Sequence, residues 1–459
     1  MKNLSINKLK IFCSIIFVIL FFSTHYLIQQ QNLYNKVFKS LFLNYVPNDI
    51  NHTKTAVPYQ KISNTTLRHW DADGYMIIKD NMYDINIKGD RIFASFPLFP
   101  ILWKITHLPA WGIMLLNIIF FVISILVLSY LFEDQNMERW KKIFLFSILF
   151  TFPGSAVFYI PYSEALFMIM ITIAMYGFMK DKYWIYCIGI FLAAMTRSVA
   201  IILIATFFAA ELLIFLEDKK IKIFIYNFFK KIAPLILGTL AASTIQLAYG
   251  SGSIFKFIEV QKYWDYKFQI PKAVSEWSEE GYSNSIATMF FIAAPALLYL
   301  IYLFLNKLKT FTNKKTKSNK KEYLFNLSII YVVAMFLFIL LFKGGNLYGT
   351  TRYIVNTPFF FVIIYAGITK LKDFSIEIKS FIFGILVFTS LIFTCMVSYS
   401  GAWNFSDFGY LMFAVSLAFI LFSKSHLIHR ILFFIIVFFN ILWATYLFNM
   451  FLADAWISM

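Results

Sequence analysis

The chain is poor in charge and in the residues that build redox or nucleotide sites. Only 14% of its 459 residues are charged, while 60% are hydrophobic and 20% aromatic. That balance, with a mean hydropathy of +0.70, excludes an ordinary soluble globular protein. Its three cysteines, Cys13, Cys187 and Cys395, all fall inside apolar segments, so neither a disulfide framework nor a zinc-ligand spacing is available. No glycine-rich nucleotide loop, internal repeat or soluble domain of independent size is visible. Acidic residues are also scarce, 24 against 41 Lys and Arg, and the net charge of +17 would suggest nucleic acid in a soluble protein. In a membrane protein the position of each Lys and Arg matters more than the sum, so no nucleic-acid partner is expected.

What is present is a succession of apolar runs, each near the roughly 20 residues that a helix needs to cross about 30 Å of hydrocarbon. Backbone groups in lipid have to pair internally, and alternating ten-residue strands are absent, so the expected fold is an all-α polytopic membrane protein. The runs mark about thirteen segments: 10–29, 111–132, 142–160, 163–179, 183–197, 199–216, 232–250, 284–306, 323–342, 353–369, 379–399, 407–422 and 431–451. The first follows a basic stretch and lacks a small-x-small cleavage site, and it reads as an uncleaved signal anchor. Tyr183 to Leu216 is apolar but interrupted by Arg197. Reading it as one span would throw every later lysine-rich loop to the other side, so two short spans with Arg197 at an outer hairpin are expected.

With a cytoplasmic N-terminus (Lys2, Lys8, Lys10), alternate loops gather Arg139/Lys141/Lys142, Lys180/Lys182, the cluster from Lys219 to Lys231, the run from Lys307 to Lys321, Lys370/Lys372/Lys379 and Lys424/Arg430 on one side. The tract KTFTNKKTKSNKK then reads as a solvated positive-inside loop. The outer face receives the loop 30–110, the loop 251–283 and the turn FKGGNLYGTTR. The first of these is amphipathic in VFKSLFLNYV and SFPLFPILWKI, which predicts short interfacial helices anchored by Trp103 and Trp111. The whole chain, 1–459, is expected to form one membrane-embedded unit.

The polar loop 30–110 carries HWDADGYMIIKDNMY, with Asp71 and Asp73 one residue apart beside Trp70 and Tyr75. A carboxylate in a partly desolvated pocket can take a proton from a sugar hydroxyl, and a second can raise its basicity or share a divalent cation. In an extended segment the two point the same way, whereas in a helix they diverge by about 200°. A pair of solvated loop acids is the plainer alternative.

The segment HWDADGY followed by MIIKDNMY and RIFASFPLFPIL resembles the N-terminal region of the PIG-V type of GPI mannosyltransferases, a family with a WD motif followed by a phenylalanine-proline motif. That family belongs to the GT-C superfamily of polytopic glycosyltransferases. FPGSAVFYIPYSEALF, AAMTRSVA, FIEVQKYW and TRYIVNTPFFF add further similarity in the same order, across most of the chain. The resemblance implies a GT-C-like bundle of about 11–13 transmembrane helices. It also implies transfer of a hexose, mannose in that family, from a polyprenyl-phosphate donor to a glycan or lipid acceptor on the extracytoplasmic side. The membrane would be the cell membrane in a bacterium or that of the ER in a eukaryote. The family's first-loop catalytic base carries over to Asp71, with Asp73 as helper. Any metal, Mg or Mn, would sit on Asp71 and Asp73.

Arg352 and Arg197 lie at expected outer helix ends, where a guanidinium can hold a lipid phosphate through paired hydrogen bonds. Snorkelling to the interface or pairing with an acid is the alternative for both, and the plainer one for Arg197. Lys343 is a second cation in the turn before Arg352. Glu164 caps its helix through the dipole, or orients a sugar or an arginine. His69, Trp70, Tyr75, Arg91, Gln261 and Trp264 complete the candidate binding residues, all of types common at membrane interfaces and in sugar sites alike. The competing functional class is a transporter or lipid flippase without covalent chemistry. Such proteins tend to place ionisable residues mid-membrane and to show repeats.

Overall fold

Amides that leave water have to bond within their own segment, and the apolar runs accordingly form helices. The computed structural model describes residues 5–30, 59–264, 266–271, 288–309, 319–344, 347, 349–372, 375–378, 380, 384 and 426–454, and among these there is no strand. In chain order the helices are α1 (Ile6–Gln30), α2 (Asp71–Asn81), α3 (Ile85–Lys88), α4 (Leu98–Thr106), α5 (Ala110–Phe132), α6 (Arg139–Thr151), α7 (Glu164–Met179), α8 (Tyr183–Thr196), α9 (Ile202–Asp218), α10 (Ile221–Ala248), α11 (Lys256–Glu259), α12 (Ala294–Lys309), α13 (Lys320–Phe342), α14 (Thr350–Ile354), α15 (Pro358–Lys372) and α16 (His426–Leu452). Among the described residues, six helices are long and apolar enough to cross a membrane: α1, α5, α9 with its preceding turn, α10, α13 and α16. Four more, α7, α8, α12 and α15, are apolar but shorter. The protein is an all-α integral membrane protein.

Departures from the expected spans have local causes. The segment 142–160 stops being an α-helix at Thr151, because Phe152 precedes Pro153 and is forced to an extended ψ of 151°. A 3-10 stretch, Pro153–Tyr159, follows. The segment 353–369 is likewise split, with α14 ending at Ile354 and proline opening α15. The helix expected over 232–250 starts earlier, at Ile221. Tyr183 to Leu216 forms two helices, with Arg197 extended between them at φ −147° and ψ 134°. Apart from isolated positions, 379–399 and 407–422 lie outside the described residues, as do VFKSLFLNYV and most of the loop beyond Ile270.

Between helices in lipid, association depends on close contact and interhelical hydrogen bonds rather than on leaving water. A side chain at Gly189 would lie 2.6 Å from the backbone nitrogen of Ala174, so α7 and α8 approach to a separation that only glycine permits. The buried Asn117 of α5 donates Nδ2 to the carbonyls of Ile160 and Tyr162, at 2.7 and 2.9 Å. These are backbone acceptors left open between the 3-10 stretch and α7. One side chain of α5 thereby fixes the strand of chain that delivers Tyr162, Ser163 and Glu164.

The helix ends differ in charge. At one end lysines tie neighbouring helices together: Lys10 to Glu133 at 2.6 Å, Lys231 to Glu211, Lys307 to Glu217 and Lys320 to Asp181. The other end carries the loop helices α2 to α4. Trp103 is not the interfacial anchor expected there: it is fully buried, and its indole N–H donates to Leu108 O at 2.8 Å. Trp111 is about half exposed, as an interfacial residue should be.

Candidate functional site

At the loop end, four elements converge on one ionic cluster. Asp71 is the first residue of α2, where its negative charge meets the positive end of the helix dipole. Glu164 opens α7, Arg197 lies between α8 and the 3-10 turn Ser198–Ile201, and Arg352 is in α14. Arg352 Nη2 donates to Asp71 Oδ2 at 2.6 Å, and its Nε donates to Glu164 Oε1. Arg197 Nη1 reaches that same Glu164 oxygen at 2.5 Å. One carboxylate is therefore shared by two guanidiniums, and Asp71 supplies the second negative charge.

Burial grades the cluster. The side chains of Glu164 and Arg352 are 2% and 7% exposed, while Asp71 is 39% exposed. Asp71 thus sits on the open side, with the arginine beneath it. Burial alone would weaken the Arg352 cation, but the Glu164 and Asp71 carboxylates outweigh it and hold the guanidinium above its ordinary value. Arg197 behaves in the same way through Glu164.

Aromatic rings wall the cluster. Arg352 lies over the ring of Tyr162 at 4.6 Å, and Arg197 over Tyr353 at 5.4 Å, both within cation–π range. Tyr75 bonds Ser163 Oγ through its hydroxyl at 2.8 Å, linking α2 to the start of α7. Burial, then the Asp71 carboxylate, pushes the hydroxyls of Tyr75 and Tyr162 up, so both stay neutral hydrogen-bonding groups. Lys343 sits over the ring of Tyr266 at 4.7 Å, and Tyr266 is within electrostatic reach of Tyr353 and Arg352.

No family model matches the chain, and comparisons with curated proteins and solved structures give no significant match.

The other expected residues go elsewhere. Asp73 is two residues along a helix, not a strand, and bonds Lys88 Nζ at 3.1 Å on a half-exposed surface. Two residues apart on a helix, the carboxylates expected to act together as helper or as a seat for Mg or Mn diverge, Asp71 to Arg352 and Asp73 to Lys88. Among the described residues no group of three or more His, Cys, Asp or Glu side chains has metal-holding geometry. His69 turns away to Asp454, Nδ1 to Oδ1 at 3.1 Å. Trp70 immediately precedes α2 at φ 55°, a strained value for a non-glycine residue, and is about one-third exposed. Arg91 stacks on Tyr263 at 5.0 Å, and Gln261 bonds Phe257 O at 3.0 Å, within its own turn. Both, with the half-exposed Trp264, belong to a neighbouring patch built on Ile78, Tyr83, Ile92, Phe93 and Val260. Tyr162, Ser163, Tyr266 and Tyr353 were not singled out by sequence. The first two stand beside Glu164 in PYSEALF and Tyr353 beside Arg352 in TRYIVNT, so adjacency to a buried charge was the available signal.

Proposed function

We propose that the protein is a membrane glycosyltransferase of the GT-C kind. It moves a hexose, mannose by the resemblance, from a polyprenyl-phosphate donor to a lipid-linked or surface acceptor. The observation that carries this reading is the Asp71–Arg352–Glu164–Arg197 cluster, which sets a part-exposed carboxylate directly against the buried Arg352 guanidinium, itself joined to Arg197 through Glu164. An acceptor hydroxyl gives its proton to Asp71, and its oxygen bonds to the anomeric carbon. The bond from that carbon to the phosphate oxygen breaks, the electron pair stays with the phosphate, and the configuration inverts. Arg352 and Arg197 donate charge-assisted hydrogen bonds to the departing polyprenyl phosphate. Phosphate competes with Asp71 for Arg352 Nη2, so donor binding frees the carboxylate to act.

The lysine-tied helix ends favour the cytoplasm under the positive-inside tendency, which gives the cluster the extracytoplasmic side. No step requires a metal held between Asp71 and Asp73. The test uses purified protein, a polyprenyl-phosphate-mannose and candidate acceptors. Asp71→Asn is expected to lower turnover by about 10²–10⁴-fold, the usual worth of a general base, without loss of the folded state. Unchanged turnover in that variant would remove Asp71 from the reaction.

A further inference from the structure

A second site lies at the opposite end of the bundle. Sixteen residues of α5, at about 1.5 Å each, separate Asn117 beside the ionic cluster from Glu133, which puts the two ends about 24 Å apart. Here a cavity of about 430 Å³ opens between α1, the end of α5, the end of α7 and the start of α13. Its size is that of a small-ligand pocket and far above the roughly 30 Å³ of a single water. Lys10, Lys180 and Lys321 stand on its wall with Asn7 and Tyr130, and among the described residues the one carboxylate lining it is Glu133.

That carboxylate is already engaged. Lys10 is 1% exposed and gives its ammonium to Glu133 at 2.6 Å and to Ser129. Lys180 rests on Tyr130, with Nζ 3.3 Å from the hydroxyl and 5.2 Å from the ring centre. Neither Lys180 nor Lys321 makes an ion pair among the described residues. The cavity therefore has two surplus cations, hydrogen-bonding groups from Asn7 and Tyr130, and a floor formed by the buried Lys10–Glu133 pair. Those features match a compact anion with several acceptor oxygens. The cavity also lies at the helix ends, at the depth where lipid headgroups sit when α1 and α5 cross a bilayer.

We propose that this cavity binds a phosphate group, presented by the headgroup of an anionic membrane lipid or by free phosphate. The test measures the unfolding temperature of the full chain in neutral detergent. Short-chain phosphatidylglycerol, phosphatidylcholine of equal chain length and inorganic phosphate are each added in turn. Lys180→Ala/Lys321→Ala is compared with Lys220→Ala/Lys222→Ala, which removes two lysines that do not line the cavity. An upward shift with phosphatidylglycerol, kept in the wild type and the control pair and lost in Lys180→Ala/Lys321→Ala, supports a lipid site. The same pattern with inorganic phosphate supports the site with free phosphate as its ligand. No shift with either, or equal shifts in both double variants, overturns the proposal. The readout needs no turnover, so it stands or falls apart from the glycosyltransferase reading.

Discussion

Arg352 holds Asp71 by a single nitrogen, Nη2 to Oδ2 at 2.6 Å, while its Nε is committed to Glu164. The planar fork thus spans two carboxylates from two different elements, a geometry that a lysine ammonium on its flexible stem does not reproduce. Arg352→Lys is expected to lower kcat/KM for the donor by about 10–100-fold, equal to roughly 1.4–2.7 kcal/mol of lost transition-state binding. Steady-state kinetics with donor and acceptor varied separately check this. An effect confined to the acceptor would count against phosphate binding by Arg352.

Glu164 is shared between two arginines while almost wholly excluded from solvent. Glu164→Gln leaves both guanidiniums short of a partner, and breaking a buried pair from one side costs about 3–5 kcal/mol. Thermal unfolding in detergent should show a large drop. Adding Arg197→Gln should cost less than the sum of the two single changes, because each removes the same contact.

Among the described residues Asp73 is paired with Lys88 alone, and both side chains are more than a third exposed. An exposed pair of this kind is worth about 0–1 kcal/mol. Asp73→Asn is therefore expected to keep turnover within about twofold of the parent and to leave stability nearly unchanged. A loss as deep as that of Asp71→Asn would show that both carboxylates act on the substrate.

Gly189 allows α8 to lie against the backbone of α7, which begins with Glu164. Gly189→Ala forces the helices apart, and overpacking of this sort typically costs about 1–3 kcal/mol. A lowered unfolding temperature, with turnover reduced through displacement of Glu164, is the expected result.

Much of the helical architecture was legible because the apolar runs are long and lysine is unevenly distributed. The break at Arg197 followed from charge alone. The orientation of Asp73 was not legible, since it depends on whether α2 starts at Asp71. No residue before Asp71 gives a side-chain cap: Trp70 occupies that position at φ 55° and makes no capping bond, so the usual start signal is missing. The pairing of His69 with Asp454 joins residues nearly four hundred positions apart, which local pattern cannot reveal. Trp103 was misplaced for a related reason. Its burial depends on a carbonyl five residues on, freed by the turn that ends α4.

The packing of α1 on α16 sets a schedule for assembly. Phe21 meets Phe448 with ring centres 5.4 Å apart, and His25 meets the same ring at 5.1 Å. Nearly four hundred residues separate the two helices in the chain. At about 5–20 residues per second, a ribosome leaves α1 without this neighbour for roughly 20–80 s after α1 emerges. The Asp454 contact with His69 also forms only after α16 arrives, so the first polar loop is the earliest part of the site to be synthesised and among the last to be closed.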